Sequence, residues 1–206
     1  MDVKEVKKLT KKAQKNTADL FKLRRYLLDP IEQEVINSSL IACKKGCSHC
    51  CYLRVDAYDF EVISIYNFIQ ERINKEVRNI IEIAVKNAYL TIKNISEHEH
   101  HITNVKCPFL LDDSCSIYPV RPMSCAGYSS LSEEICKHSY DHPDCLSGDI
   151  PRDPNIFEAT MNAHSYVRAA LNKEDEPMLE LISSIYKMIE SPSVIINWKQ
   201  NRKMHL

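Results

Sequence analysis

The chain has 206 residues, and its 27 Lys and Arg residues against 28 Asp and Glu give a formal net charge of −1 at pH 7. This balance does not support nucleic-acid binding as the main activity, and 44% hydrophobic residues exclude a disordered chain. Only 3 glycines occur, which argues against GxGxxG or Walker phosphate loops, and neither motif is present.

Residues 1–30 form a basic segment that we predict to be a helical arm. Its apolar residues alternate gaps of three and four, the spacing of a helix seam; they include Val6, Leu9, Ala13, Leu20, Leu23 and Leu27. Asp29-Pro30 is expected to break the helix, so we place the start of a single main domain at residue 31, extending to residue 206. Two interpretations stay open: the helix packs on its own domain, or it binds a protein partner.

Helical patterns flank a different central segment. They cover about 31–42, 56–73 and 76–95, return after Pro154, and predict further helices that start at Pro177 and Ser193. Residues 107–154 contain five cysteines, six prolines and two glycines without a helical period, so we expect an irregular segment there. Phe109–Leu111 and Ser116–Tyr118 flank the turn-prone residues Asp112-Asp113-Ser114 and predict one hairpin. The predicted fold class is mainly α, with helices around an irregular cysteine-rich metal-binding centre and at most a short β-hairpin.

The redox state of the cell compartment determines whether clustered cysteines are more often metal ligands or disulfides. The start of the chain shows no uncharged apolar run of a secretory signal, and no stretch approaches the ~20 apolar residues that cross a bilayer. We therefore expect a cytoplasmic protein with no membrane partner. Thiols stay reduced in the cytoplasm, which favours metal ligands over disulfides, although disulfides remain the alternative.

The 9 cysteines fall into two groups. The first group has four cysteines in nine residues, Cys43, Cys47, Cys50 and Cys51; the second has Cys107, Cys115 and Cys125, followed more loosely by Cys136 and Cys145. A soft metal ion needs three or four converging thiolates, and a two-residue gap between cysteines is common at such sites. Adjacent side chains usually diverge, so Cys50 and Cys51 are expected to serve different metal centres or different partners. Cys136 is the weakest candidate ligand.

Two motifs carry a family resemblance. The opening CxxxCxxCC at 43–51 and the segment I-Y-x-x-R-P-x-x-C at 117–125 resemble the YkgJ-type CxxCxxCC cysteine-cluster family, described as zinc- or iron-chelating domains. The resemblance covers about Cys43 to Cys145 and implies eight metal ligands: Cys43, Cys47, Cys50, Cys51, Cys107, Cys115, Cys125 and Cys145. The family usually has Arg after the last cysteine of the second motif, where Ala126 stands here, so no role of that Arg transfers.

Some polar residues near the cysteines are open to more than one interpretation. Arg121 either hydrogen-bonds loop carbonyls, balances thiolate charge, or is an ordinary surface residue. The run Glu97-His98-Glu99-His100-His101 reads as a polar loop rather than as a ligand set. His138 and His142 flank two cysteines, a Cys/His pattern with weak spacing.

Two functions follow from these patterns. The first is a metal-binding protein that holds zinc or iron, including a [4Fe–4S] cluster, because both accept all-cysteine ligation. The alternative is an iron–sulfur-dependent methyltransferase that uses S-adenosylmethionine, since Cys43-x3-Cys47-x2-Cys50 has radical-enzyme spacing and the similar family includes flagellin lysine-N-methylases. The sequence shows neither the repeated β/α pattern of a barrel nor an acid–base constellation, and both absences argue against catalysis.

Overall fold

The computed structural model describes residues 1–145, 150–171, 178–200 and 202. Over these residues the chain is mainly helical, which confirms the predicted fold class. The described residues form ten α-helices: α1 (Val3–Lys15), α2 (Leu20–Asn37), α3 (Asp59–Arg72), α4 (Lys75–Ile92), α5 (Glu97–His101), α6 (Met123–Ala126), α7 (Glu133–Asp141), α8 (Pro154–Leu171), α9 (Leu181–Glu190) and α10 (Ile195–Lys199). Short 3₁₀ segments lie at 17–19, 49–52, 118–120 and 192–194.

Helix α1 packs on the rest of the chain through one apolar face. Asp2 caps its N-terminus by accepting a hydrogen bond from the Lys4 backbone N–H at 3.0 Å. Val6, Leu9 and Ala13 are buried in the main hydrophobic core. The helix contacts α2 and α8, which places its apolar stripe inside the core and its lysines outside.

Helix α2 runs through Pro30, so the predicted break at Asp29-Pro30 is wrong. A proline inside a helix removes one backbone hydrogen bond and costs roughly 3 kcal/mol. Leu27, Leu28 and Ile31 are at most 3% exposed, and a break here would uncover them. Their burial outweighs the backbone penalty. The proposed boundary at residue 30 lies inside α2, and the division into two parts stays a prediction, because packing does not show which segments fold independently.

Helices α3, α4 and α9 form the other side of the core. Phe60, Ile63 and Ile69 of α3 are fully or almost fully buried, and α9 packs against both α3 and α4. A two-stranded antiparallel sheet, β1 (Asp56–Ala57) with β4 (Leu179–Glu180), joins the residues after the first cysteine group to the start of α9. This pairing was not predicted, since each strand has only two residues and they are far apart in sequence.

The predicted hairpin is present but shorter and shifted. β2 (Leu110–Leu111) pairs antiparallel with β3 (Ser114–Cys115), whereas the second strand was expected at Ser116–Tyr118. The two turn residues Asp112 and Asp113 have φ of 46° and 53°. Positive φ at both positions is the geometry of a type I′ two-residue turn, which twists with the strands. The turn therefore ends one residue earlier than expected and brings Cys115 into the ladder.

Residues 107–154 are not irregular throughout, and that expectation is wrong for α7. Ser132 caps this helix by accepting a hydrogen bond from the Ile135 N–H at 3.2 Å, and Glu133 and Glu134 occupy its first turn. The prediction that Pro177 opens a helix concerns a residue outside those described. No helix in the described ranges is long and apolar enough to cross a bilayer.

A buried histidine makes the stability of the fold sensitive to acid. His164 of α8 is 8% exposed, and its Nδ1 lies 3.2 Å from the Tyr58 hydroxyl oxygen. Burial lowers the pKa of His164 from 6.5 to about 4, and the charge of Arg168 acts in the same direction. The unfolded chain therefore binds a proton between these values that the folded chain does not. The stabilisation is complete above pH 6.5 and is lost as the pH falls towards 4.

We expect His164 to remove about 3 kcal/mol from the free energy of unfolding over that interval. The His164→Asn variant keeps a group for the Tyr58 hydroxyl but cannot ionise, so its free energy of unfolding should fall less with acid. Urea unfolding of both proteins at about pH 7 and about pH 4.5 measures how much free energy of unfolding each one loses in acid. His98→Asn, at an exposed position, is the control. Equal acid losses in the wild type and His164→Asn would contradict the assignment.

Candidate metal centre

The first cysteine group lies on two successive tight turns between α2 and β1. Gly46 has φ of +89°, a left-handed conformation that favours glycine, and the Cys47 N–H donates to the Lys44 carbonyl at 3.0 Å. The 3₁₀ segment His49–Tyr52 follows, in which the Cys51 N–H donates to the Ser48 carbonyl at 2.9 Å. These turns fold the chain back on itself, and the Cys43 thiol interacts electrostatically with those of Cys47 and Cys50.

Two backbone hydrogen bonds join the first cysteine group to the second. The Cys107 N–H donates to the Cys51 carbonyl at 2.8 Å, and the Val105 N–H donates to the Tyr52 carbonyl at 3.2 Å. Helices α3, α4 and α5 all lie between these segments in sequence. The two groups are therefore adjacent in the structure.

Three elements bring the second group together around Cys50. Cys107 precedes β2, Cys115 ends β3, and Cys125 lies in α6. The Cys125 thiol interacts electrostatically with those of Cys107, Cys50 and Cys115. We call Cys50, Cys107, Cys115 and Cys125 the inner thiols.

Cys136, which the sequence ranked last, also lies near Cys50. It is the buried residue of α7, and its thiol interacts electrostatically with those of Cys43, Cys50 and Cys47. We call Cys43, Cys47 and Cys136 the outer thiols. The sequence signal for α7 is Ser132 as N-cap, followed by Glu133 and Glu134 in the first turn. A helix predicted from this signal would have placed Cys136 within it.

The two remaining cysteines differ in position. Cys51 lies beside Cys50 in one 3₁₀ turn, and its thiol interacts with that of Cys50. The assignment of these two residues to different centres stays a prediction. Cys145 is exposed after α7, where its N–H donates to the His142 carbonyl at 3.0 Å.

The inner thiols disfavour one another's ionised forms. Burial raises the pKa of Cys107 to about 12, and it raises the pKa of Cys125 well above 9.0; neighbouring thiols add to both shifts. The hydrogen bond with Cys51 is the largest cause that raises the pKa of Cys50, ahead of burial. Burial also raises the pKa of Cys115. The protein therefore gathers thiols in a place where their negative charge needs an outside cation.

Arg121 supplies one positive charge at this place. Its guanidinium carbon lies 3.8 Å from the centre of the Tyr118 ring, and its charge lowers the pKa of Cys50 and Cys115 against the larger effects that raise them. Arg121 also forms an ion pair with Glu32 at 4.0 Å, so its charge acts on this carboxylate as well as on the thiols. Its carbonyl accepts a 2.8 Å hydrogen bond from Arg24 Nη2.

Two buried charges that the sequence did not single out hold the loop before Cys125. Arg24, 3% exposed, donates to the carbonyls of Pro119 at 3.1 Å and of Arg121. Glu61, 1% exposed, accepts the Met123 N–H at 2.7 Å, where α6 begins. The helices that carry Arg24 and Glu61, α2 and α3, thereby position α6 and its cysteine.

The histidine run 98–101 forms α5 rather than a loop. Ser96 caps this helix with a capping box completed by Glu99. His100 is buried, while His101 Nε2 lies 3.1 Å from Arg54 Nη1. The arginine is also paired with Glu97 at 2.7 Å, so the contacts of this run are those of a charged surface network.

Thiol groups are suitable donors for a soft metal ion, but the side chains of these cysteines are not arranged as a complete site. Among the described residues, no three side chains of His, Cys, Asp or Glu are arranged as a ready-made metal site. The inner and outer thiols are nevertheless neighbours, and thiolate sulfur is the donor that zinc and iron–sulfur clusters use. The side chains must turn towards a common point when an ion binds.

Comparison with known families identifies the region that contains the cysteines. A family model described as "CxxCxxCC: Putative zinc- or iron-chelating domain" matches residues 42–145, half of the chain. The matched range contains all nine cysteines, α7 and the hairpin, and it confirms the resemblance found in the sequence. No curated protein and no solved structure matches the chain.

Gly127 allows α6 to approach α8. A Cβ at this position would lie 2.0 Å from Oγ1, 2.6 Å from Cγ2 and 2.8 Å from Cβ of Thr160. We expect Gly127→Ala to lower the free energy of unfolding by about 1–3 kcal/mol, because α6 must move away from α8. Urea unfolding measures this loss.

The control removes the obstructing atoms. Thr160→Ala deletes Oγ1 and Cγ2, so the added cost of Gly127→Ala should be smaller in the Thr160→Ala background than in the wild type. If Gly127→Ala costs the same in both backgrounds, close approach to Thr160 is not the reason for the glycine.

Proposed function

Because the chain belongs to the CxxCxxCC family of zinc- or iron-chelating domains, we propose that its clustered thiolates bind zinc or iron. The observation that carries this proposal is the meeting of the two cysteine groups around Cys50. The family match supports metal binding in general; the choice of metal and the ligands are our proposal.

A divalent cation would reverse the electrostatics of the inner thiols. Without it, burial and mutual repulsion keep these groups protonated. A coordinated metal stabilises thiolate and displaces the protons, and Arg121 offsets part of the remaining negative charge. Thiols that are costly to ionise alone become a strong ligand set together with an ion.

We propose two centres that meet at the Cys50-Cys51 turn. The inner thiols supply four donors, Cys50, Cys107, Cys115 and Cys125. The outer thiols supply Cys43, Cys47 and Cys136, to which Cys51 or Cys145 adds a fourth donor. Four thiolates suit either a closed zinc site or a [4Fe–4S] cluster. A closed set leaves no coordination position for substrate, so chelation or structural metal binding is the proposed role.

The S-adenosylmethionine-dependent alternative receives no support from the fold. The described residues contain two short two-stranded sheets and an isolated bridge, with no repeated β/α units. Cys43, Cys47 and Cys50 follow the end of α2 rather than a strand. We therefore do not propose methyl transfer.

Metal content tests the inner site. Cys125→Ser removes one inner donor, so we expect it to lower the bound metal per chain and the melting temperature, since binding free energy is here folding free energy. Elemental analysis and an absorption spectrum after anaerobic purification give the metal and its amount. Iron with acid-labile sulfide selects a cluster, and colourless protein with zinc selects closed sites. Unchanged metal content in Cys125→Ser and Cys50→Ser would disprove the inner site.

Cys136 and Cys145 provide a matched pair for the outer site. Both follow Cys125 in the chain, but Cys136 is buried beside the other outer thiols whereas Cys145 is exposed. We expect Cys136→Ser to lower the metal content. If Cys145→Ser lowers it as well, Cys145 completes the set, and if it leaves it unchanged, Cys51 does. Full metal content in Cys136→Ser would remove Cys136 from the site.

A further inference from the structure

The outer face of α7 carries two neighbouring histidines. His138 and His142 are exposed and one helical turn apart, with ring centroids separated by 4.7 Å and planes inclined at 48°. The His142 N–H donates to the His138 carbonyl at 2.9 Å, which extends the helical hydrogen-bond pattern to His142. His142 is the residue directly after the last helical residue of α7, with non-helical backbone angles, and the ring contact itself places the two imidazoles on the same side of this helix end.

The surroundings hold this end of α7 in place. Tyr140 packs against Tyr52, with ring centroids 4.8 Å apart, and against His49 at 5.7 Å. Its carbonyl accepts a hydrogen bond from Asn104 Nδ2 at 2.6 Å. Helix α7 therefore packs against the 3₁₀ segment of the first cysteine group, and these contacts hold the end of the helix that carries the histidine pair.

The charges near the pair tolerate a cation. Lys137 pairs with Asp141, so its positive charge is offset within the same turn. The Asp141 carboxylate also interacts electrostatically with His142 and with His49 across the contact between α7 and the 3₁₀ segment. The carboxylate of Asp141 therefore lies near His142, and its negative charge favours a cation there.

We propose that His138 and His142 form a two-imidazole site for a borderline divalent transition-metal ion of the zinc class. Imidazole is the common nitrogen ligand of such ions, and two histidines one turn apart on a helix bind one ion through neighbouring nitrogens. Water completes the coordination shell, in agreement with the absence of a three-donor arrangement among the described residues. The same helix carries Cys136 on its buried face, so α7 presents thiol inwards and imidazole outwards. This site does not depend on the thiol centres.

Zinc titration of the full chain under reducing conditions tests the site, with histidine ring resonances followed by NMR. We expect the rings of His138 and His142 to shift together with one midpoint. His142→Asn should abolish the response of His138, because a single exposed imidazole binds weakly. His98→Asn is the matched control at another exposed helical histidine, and it should leave the response intact.

Different midpoints for the two rings, a His138 response that survives in His142→Asn, or no ring response at millimolar zinc would each overturn the proposal. Cobalt in place of zinc separates this site from the thiol centres, because thiolate-bound cobalt absorbs strongly in the near ultraviolet and imidazole-bound cobalt does not. Ring shifts without that band, in protein that also purifies without iron and sulfide, would sink the proposed thiol sites alone. The band without ring shifts would sink the histidine site alone.

Discussion

The crowding of thiols around Cys50 is the constraint on which the rest of this structure depends. Ionised sulfur is unfavourable there, because the groups are buried and lie close to one another. One guanidinium, that of Arg121, acts in the opposite direction and is outweighed. Such a group of thiols, assembled from distant segments, stabilises the fold only when a cation binds to it. The electrostatics and the family match therefore lead to the same function, metal binding.

The scaffold fixes this group through buried polar contacts rather than through regular secondary structure. Arg24 holds two carbonyls of the loop before α6, and Glu61 holds the first N–H of α6. Both side chains are buried and hydrogen-bonded. Replacing either one would leave its backbone partners buried without a hydrogen bond. Two helices of the core thereby determine where a short helix and its cysteine lie. Gly127 completes the arrangement by allowing close contact with α8.

Much of the architecture could be predicted, because the helices follow apolar periodicity and the cysteine motifs are local in sequence. The hairpin followed from Asp112-Asp113, although its register depends on a two-residue turn that composition alone does not specify. Pro30 misled the prediction, since tertiary burial of Ile31 and its neighbours overrode a local rule. The place of Cys136 was missed because it depends on α7, and the roles of Arg24 and Glu61 depend on contacts between distant segments.

The backbone hydrogen bonds between Tyr52 and Val105 and between Cys51 and Cys107 close a loop that contains α3, α4 and α5, and this loop would set the order in which a growing chain assembles the proposed site. A nascent chain that has emerged only as far as α5 offers an incoming ion the first cysteine group alone. Three helices must then fold back before the second group reaches it, so closure of this long loop delays completion of the thiol set. Early capture by the first group would tether the ion while the remaining donors arrive, and the finished domain would retain it in a site that no short peptide of this sequence can form.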